Sequence, residues 1–229
     1  EFVIEPIYWR INSSEVGLYS AARVDGKWGV INKNNEVIIP FEYRNGISII
    51  NKKLFIVSSS GKEGIINTKN EFLIKPRYDR VYTVIGLNNY YGVRVNNKTG
   101  IIDKEGKVIV PPIFNIISQF RDGLAPATKY RNKWGVINLE GDWVIKPQFD
   151  YIKRFEEGLA AAKINGKYGY IDKKGDWIIK PRFANVARFS EGLALVRTSD
   201  NKYGFINRNG KIEFYVDIDD DFHKRMGYS

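Results

Sequence analysis

The stretch that decides the fold is Asn165-Gly166-Lys167-Tyr168-Gly169-Tyr170-Ile171-Asp172-Lys173-Lys174-Gly175. It predicts a short β-strand that ends in a tight turn. Its core is a lysine, any residue, glycine, an apolar residue, isoleucine and Asn or Asp. This core occurs six times, at intervals of 34 to 36 residues, around Gly29, Gly64, Gly100, Gly135, Gly169 and Gly204. A fixed period of this size indicates a repeat architecture.

Each full unit adds three further extended runs to this strand. One precedes it, as in Glu191–Arg197, and two follow it, as in Trp143–Pro147 and Arg182–Val186. β-branched and aromatic residues dominate the runs, and Gly, Asn, Asp and Pro bound them, which is typical of strands and hairpins. No segment shows a sustained helical period. The sequence therefore predicts an all-β repeat protein of six units of about 35 residues.

The turn after the glycine strand has its own signature. It starts with Asn or Asp, whose side chain can accept a hydrogen bond from the backbone two residues on. It ends with Gly or Asn, which tolerate a positive φ. The turns Asp172–Gly175 and Asn67–Asn70 are examples. We predict the same turn in all six units.

Composition narrows the classes of function. The chain has 229 residues, 43% of them hydrophobic and 14% aromatic, which suffices for a packed core. It contains no run of 18 apolar residues, so we expect no membrane span, and the first residues do not resemble a signal peptide. The absence of cysteine excludes disulfides and is compatible with any compartment. The net charge of +10 favours acidic partners.

The repeated Lys-Trp/Tyr-Gly-apolar-Ile-Asn/Asp motif, with Glu-Gly-Leu-Ala before it and apolar-Ile-Lys-Pro-x-Phe after it, resembles the WG-repeat (KWG-repeat) family. The resemblance covers roughly residues 17–216. It implies a β-rich repeat module, widespread in bacteria, with no shared activity. Two units depart from the pattern, with Glu63 and Thr99 in place of the aromatic residue, and the last unit lacks the proline.

Alternation along the strand places the motif's aromatic residue and its glycine on opposite faces. Both faces are apolar, so we expect these strands to be interior. We interpret the repeat-defining residues as structural, with core packing favoured over stacking on a sugar or base. They are Trp28, Gly29, Gly64, Gly100, Trp134, Gly135, Tyr168, Gly169, Tyr203 and Gly204.

A lysine stands two residues before each of the six glycines. In a closed array these lysines would form a ring of positive charge around an anionic ligand. A local role, with the stem packed along the strand and the charge protecting a surface or edge, is the simpler interpretation. The six are Lys27, Lys62, Lys98, Lys133, Lys167 and Lys202.

We predict a single repeat domain over residues 1–216, followed by an acidic C-terminal tail, 217–229. The repeats fall near 17–51, 52–87, 88–119, 120–154, 155–188 and 189–216, and residues 2–10 form a partial repeat. A closed six-bladed β-propeller, in which residues 2–10 pair with the blade begun by residues 192–208, accounts for this partial unit. An open β-solenoid is the alternative, because 35 residues per blade is short for a propeller.

Catalytic classes find little support. The only histidine, His223, lies in the tail, so a Ser-His-Asp triad and a multi-histidine metal site are both unavailable. Asp217, Asp219 and Asp221 have a spacing found in calcium loops, but Phe222 and Tyr228 replace the required Gly and Glu. We predict no catalytic residue, no metal site and no cofactor. A carboxylate-based glycoside hydrolase is the least favoured alternative.

The favoured function is therefore that of a non-catalytic binding module whose loops bind a protein or polysaccharide (glycan) ligand. Binding of nucleic acid or another polyanion is the alternative from a different class, because the charge is right but no basic run or nucleic-acid motif occurs. We expect a monomer, because a closed ring has no exposed sheet edges.

Repeats two and three lack the regular aromatic-glycine pair and carry amide and tyrosine side chains instead. Drift in a tolerant scaffold explains the change. The replacements also offer ring faces, donors and acceptors suited to a polar ligand. The binding residues predicted on this basis are Asn88, Asn89, Tyr90, Tyr91, Asn96 and Lys98.

Overall fold

The computed structural model describes residues 8–84, 86–130 and 133–217. Every regular element in these ranges is a β-strand, and the strands form six antiparallel sheets of four. Within each sheet the strands follow one another in chain order, as consecutive hairpins require. The predicted all-β repeat architecture is confirmed.

The chain divides into two compact units, Glu1–Ile113 and Phe114–Ser229. Sheets 1 to 3 form the first unit, apart from Phe114 at the end of the last strand. Sheet 1 consists of β1 (Tyr8–Ser13), β2 (Leu18–Arg23), β3 (Trp28–Asn32) and β4 (Val37–Tyr43); sheet 2 of β5 (Ser48–Ile49), β6 (Leu54–Ser59), β7 (Lys62–Asn67) and β8 (Phe72–Tyr78); sheet 3 of β9 (Arg80–Thr83), β10 (Tyr90–Val95), β11 (Lys98–Asp103) and β12 (Val108–Phe114).

The second unit holds the other three sheets. Sheet 4 consists of β13 (Ile116–Ile117), β14 (Ala125–Tyr130), β15 (Lys133–Ile137) and β16 (Trp143–Phe149); sheet 5 of β17 (Tyr151–Ile152), β18 (Ala160–Ile164), β19 (Lys167–Ile171) and β20 (Trp177–Phe183); sheet 6 of β21 (Asn185–Val186), β22 (Ala194–Arg197), β23 (Tyr203–Ile206) and β24 (Ile212–Val216).

The boundaries of the sheets do not coincide with the boundaries of the sequence repeats. Sheets 2 to 6 each begin with a strand of two to four residues that follows the last strand of the preceding sheet. Thus β21 pairs with β22, the strand after it in the chain, and not with β20. Only Ala184 separates the end of β20 from the start of β21. The short strand therefore connects each sheet to the next one.

Among the described residues, 8–10 begin β1, which pairs with β2 and not with the predicted partner, residues 192–208. Strand β1 pairs with β2, and Asn12 lies opposite Ser20, in the same forward pairing that β21 makes with β22. Sheet 6 takes its fourth strand from β24. Residues 2–7 lie outside the described residues. Closure of the array, as a propeller, stays a prediction.

The glycine strands are buried on both faces, as predicted. In β19, Tyr170 and Ile171 point to opposite faces, and neither is more than 1% exposed. The motif aromatics belong to this packing: Trp28 lies in a core cluster of sheets 1 and 2, and Tyr168 packs against a cluster of sheets 5 and 6. Trp134 makes an edge contact with Tyr151, with ring centroids 5.2 Å apart.

A bulge in the fourth strand explains the spacing between the glycine and the proline of the motif. Tyr168 of β19 lies opposite Phe183 and Tyr170 lies opposite Ile179, so three residues of β20, Lys180-Pro181-Arg182, are spanned by one residue of β19, Gly169. A proline fits such a bulge because the position needs no ladder N–H. The same shift occurs in sheets 1, 2 and 4.

The turns after the glycine strands have the predicted hydrogen bonds. The Asp172 Oδ1 atom accepts bonds from the backbone N–H groups of Lys174 and Asp176, each at 2.9 Å. Asn207 does the same for Asn209 and Lys211. The residue that closes the turn has a positive φ whether it is glycine, as at Gly175 and Gly210, or asparagine, as at Asn35 and Asn70. The turn prediction is confirmed at these positions.

Candidate functional site

Three tight turns of one type precede the first long strands of sheets 4, 5 and 6. Their central residues are Asp122-Gly123, Glu157-Gly158 and Glu191-Gly192, and all six have φ between 50° and 80°. Positive φ at both central positions defines a type I′ turn, for which an acid–glycine pair is well suited. A buried phenylalanine lies just before each turn and holds it on the core, at Phe120, Phe155 and Phe189.

A cleft of about 790 Å³ opens at these turns, entirely within the second unit. Successive sheets contribute equivalent positions to it, and most of its lining is charged. The four cationic residues are Arg121, Lys153, Arg154 and Arg188, and the three anionic residues are Asp122, Glu156 and Glu157. We define these seven side chains as the charged cleft.

Glu156 is the centre of the charged cleft. Its carboxylate lies 2.8 Å from Arg154, 3.5 Å from Arg121 and 3.7 Å from Arg188, measured to the nearest guanidinium nitrogen. Its side chain is only 16% exposed, so these pairs are less screened than surface pairs. One carboxylate thus pairs with arginines from the equivalent loops of three successive sheets.

The other two carboxylates of the charged cleft have cationic partners outside it. Asp122 accepts a 2.9 Å bond from Lys173, and this bond is the main reason why the pKa of Asp122 is lowered. Glu157 pairs with Arg208 at 3.3 Å and also accepts the N–H of Gly192 at 3.1 Å. Positive charge therefore exceeds negative charge around Glu156.

Arg154 and Lys153 are the anchored cations. Arg154 donates to the side-chain oxygen of Gln119 as well as to Glu156. Its Nε is buried and has no hydrogen-bond acceptor among the described residues. Lys153 donates to the carbonyl of Val186 at 2.6 Å. Burial, with a smaller contribution from Arg188, lowers the pKa of Lys153.

The residues predicted as a binding site do not form one patch. Asn88, Asn89 and Tyr90 lie where β10 begins, whereas Asn96 and Lys98 lie at the hairpin where it ends. A six-residue strand separates the two groups by about 17 Å. Tyr91 is 5% exposed and belongs to the core, with Val93 and Ile102. Neighbouring residues on a strand face opposite sides, so Tyr90 and Tyr91 cannot share a surface.

The repeated lysines have local partners. Lys62 lies 2.5 Å from Asp79, Lys133 lies 3.0 Å from Asp150, and Lys167 donates to Ser199 at 3.0 Å. Lys27 and Lys202 each pair with an aspartate two residues earlier in the chain. These contacts favour the local role over a ring of free charge.

The charged cleft was not predicted from the sequence, although a signal for it exists. Arg154-Phe155 and Arg188-Phe189 stand one repeat apart, each directly before a tight turn. This pattern belongs to the regular repeats, whereas the prediction looked for a site in the irregular ones. Residues that recur with the repeat period are more often structural than ligand-binding. The sequence therefore gave no reason to single out these arginines.

Neither metal nor membrane features appear in the part of the chain that the structure describes. No cluster of three or more His, Asp or Glu side chains there could hold a metal ion. None of the described residues form a helix long and apolar enough to cross a membrane. Asp219, Asp221 and His223 lie outside the described residues.

The fold and the cleft define a class, namely an all-β repeat protein in which equivalent turns of successive sheets line one charged surface. The chain belongs to the family of the WG containing repeat. The family model matches residues 28–62, 64–98, 100–134, 134–168 and 168–203. The resemblance stated from the sequence is thereby confirmed.

The solved structures that match the chain share little sequence with it. BamB from Moraxella catarrhalis is 11% identical, with a TM-score of 0.45, and the match covers 87% of this chain and 70% of that one. Hsv2p from Kluyveromyces lactis is 13% identical, with a TM-score of 0.43 and coverages of 91% and 74%. The computationally designed Ika8 protein is 9% identical, with a TM-score of 0.47 and coverages of 90% and 73%. Among curated proteins, none matches the sequence.

Proposed function

We propose that this chain is a non-catalytic binding module, and that its protein or polysaccharide ligand contacts the charged cleft. One observation carries the proposal: equivalent turns of three successive sheets line a single cleft with four cations and three carboxylates. Repeat scaffolds commonly bind through loops gathered on one surface. The sheets supply a rigid support, because each turn is held by a buried phenylalanine.

A glycoside hydrolase is disfavoured by the same side chains. Such an enzyme needs one carboxyl group that keeps its proton near neutral pH, and burial usually provides this. In the charged cleft, Lys173 lowers the pKa of Asp122, and three guanidinium groups surround Glu156. The pKa of Asp122 is thus shifted away from the raised value that a general acid needs, and Glu156 is engaged in ion pairs.

The test is a protein and glycan array probed with the wild-type chain and with the double variant Arg121→Gln/Arg188→Gln. We expect ligands that bind the wild type not to bind the double variant. The melting temperature should change little, because both arginines are about half exposed. A matched control, Lys146→Gln/Lys180→Gln, changes the charge equally at exposed strand positions. If both double variants bind every ligand equally, the charged cleft is not the site.

Polyanion binding is the second candidate, supported by the net charge of +10. An interaction that neutralises several phosphates weakens steeply as salt concentration rises. We expect binding to a single-stranded DNA probe to be weak and to vanish near physiological ionic strength. Submicromolar binding that persists there would put nucleic acid ahead of protein and polysaccharide.

A further inference from the structure

The charged cleft holds more positive charge than its own carboxylates neutralise. Asp122 and Glu157 are engaged by Lys173 and Arg208, which do not line the cleft. Glu156 alone then faces Arg121, Arg154 and Arg188. This charge excess deepens the proposed function, on which the inference rests, because it indicates the chemistry of the ligand.

The three arginines differ in how firmly they are held. Arg154 lies at 2.8 Å from Glu156, donates to Gln119 and is one-third exposed. Arg121 and Arg188 lie at 3.5 and 3.7 Å and are 59% and 46% exposed. A guanidinium has five N–H donors and suits bidentate bonds to a planar carboxylate. These two arginines therefore flank Glu156 with donors that a second carboxylate can engage.

Two features of the cleft distinguish among anionic ligands. A continuous phosphate backbone would bring several negative charges into the cleft, where only Arg121 and Arg188 are loosely held, and its further phosphates would lie beside Glu156 and be repelled. Sugar rings are commonly held by the exposed face of an aromatic side chain, but Phe189, the one aromatic residue among the described residues of the lining, is 4% exposed. A peptide with discrete acidic side chains meets neither obstacle.

We propose that the charged cleft binds an acidic peptide segment, with one Asp or Glu carboxylate held by Arg121 and Arg188 beside Glu156. Arg154 and Lys153 contribute fixed positive charge from the floor of the cleft. Glu156 keeps the arginines in place when no ligand is bound, and it weakens binding because it competes with the ligand for the same donors.

The proposal predicts that substitutions of two neighbouring side chains, Arg188 and Glu156, change the affinity in opposite directions. The probe is a fluorescein-labelled peptide of alternating Glu and Gly, with its Gln-Gly counterpart as the uncharged reference, and affinity is read by fluorescence anisotropy. Arg188→Gln should weaken binding of the acidic probe about tenfold, the usual effect of losing a charge-assisted hydrogen bond. Glu156→Gln should strengthen it. Because these two variants also change the net charge by one unit in opposite directions, matched charge changes outside the cleft are needed as controls.

Controls separate a site from general electrostatics. Lys180→Gln, an exposed change of the same charge in β20, should leave affinity within about twofold of the wild type, as for a screened distant charge. Asp176→Asn neutralises an exposed acid outside the cleft and is the matched control for Glu156→Gln. It should have no effect on affinity. Melting curves of all variants ensure that only folded protein is compared.

Each outcome decides the question. Opposite effects of Arg188→Gln and Glu156→Gln, with neutral controls, support the acidic peptide. Equal weakening by Arg188→Gln and Lys180→Gln, or no binding of the acidic probe, overturns it. If an oligouronate probe binds and the peptide does not, the ligand is a polysaccharide; the inference then fails while the proposed function stands. If the array ligands also ignore the cleft variants, the proposed function fails as well.

Discussion

Gly169 of β19 lies directly against the carbonyl oxygen of Ile179 in β20, so that a Cβ atom at Gly169 would stand 2.3 Å from it. The bulge at Lys180-Pro181-Arg182 brings the backbone of the fourth strand over the glycine. A Cβ atom at Gly64, Gly100 or Gly135 would stand 2.3 to 2.5 Å from the equivalent carbonyl oxygen. The glycine and the proline bulge of the motif are thus two halves of one packing arrangement.

This arrangement predicts unequal effects of the same substitution. Gly169→Ala should lower the free energy of unfolding by about 3 kcal/mol, because the clash is with backbone and cannot be relieved by a rotamer change. Sheet 6 lacks the proline, and a Cβ at Gly204 would lie 3.1 Å from its nearest neighbour. Gly204→Ala should therefore cost about 1 kcal/mol or less. Urea denaturation of both variants measures the difference, and equal losses would contradict it.

Substitutions of Tyr90 and Tyr91 should distinguish the partly exposed face of β10 from its buried face. Tyr91→Ala should cost about 3 to 5 kcal/mol, the range for deleting a buried ring, because Tyr91 packs in the core cluster of sheets 2 and 3. Tyr90 is partly buried, and Tyr90→Ala should cost less than half as much. Equilibrium unfolding of the two single variants is the measurement. A larger loss for Tyr90→Ala would show that the burial of β10 is assigned to the wrong face.

Asp172 should stabilise its turn through two backbone hydrogen bonds. Asp172→Ala removes the acceptor for Lys174 and Asp176, and each bond contributes about 0.5 to 1.5 kcal/mol. Lys174→Ala, in the same turn, leaves the side-chain acceptor in place and serves as the control. We expect a clear fall in melting temperature for the first variant and almost none for the second. No difference between them would rule out this role for the side chain.

Stability should depend on pH through the Lys133–Asp150 pair. Lys133 donates to Asp150 at 3.0 Å and is the main reason why the pKa of Asp150 is lowered from 3.8. A lowered folded pKa means that this contribution is present above 3.8 and disappears as the pH falls through the folded value. The melting-temperature gap between the wild type and Lys133→Met should therefore shrink from about pH 5 to about pH 2.

An exposed, unpaired control is needed because many carboxylates titrate in the same range. Lys180→Met removes an exposed lysine of β20 without breaking the Lys133–Asp150 contact. Its melting-temperature gap from the wild type should stay nearly constant over the same pH range. A Lys133→Met gap that also stays constant would exclude the pair as a source of pH dependence.

Local chemistry allowed much of the fold to be predicted. The turn starting at Asp172 depends on atoms within four residues, and the close approach at Gly169 depends on two strands joined by that turn. Such contacts repeat with the sequence period, so composition and spacing suffice to infer them. The pairing of residues 8–10 with β2 was not predicted, because the period cannot say whether a short strand pairs backward or forward.

By itself, the sequence determined an all-β chain of repeated hairpins, their turns and the glycine strands buried on both faces. Only the tertiary structure decided the phase of the sheets and the position of the charged cleft. Glu156 and Arg188 are 32 residues apart, and Glu156 and Arg121 are 35 apart. These side chains meet because successive sheets pack side by side, and the local pattern around either residue does not specify such long-range contacts.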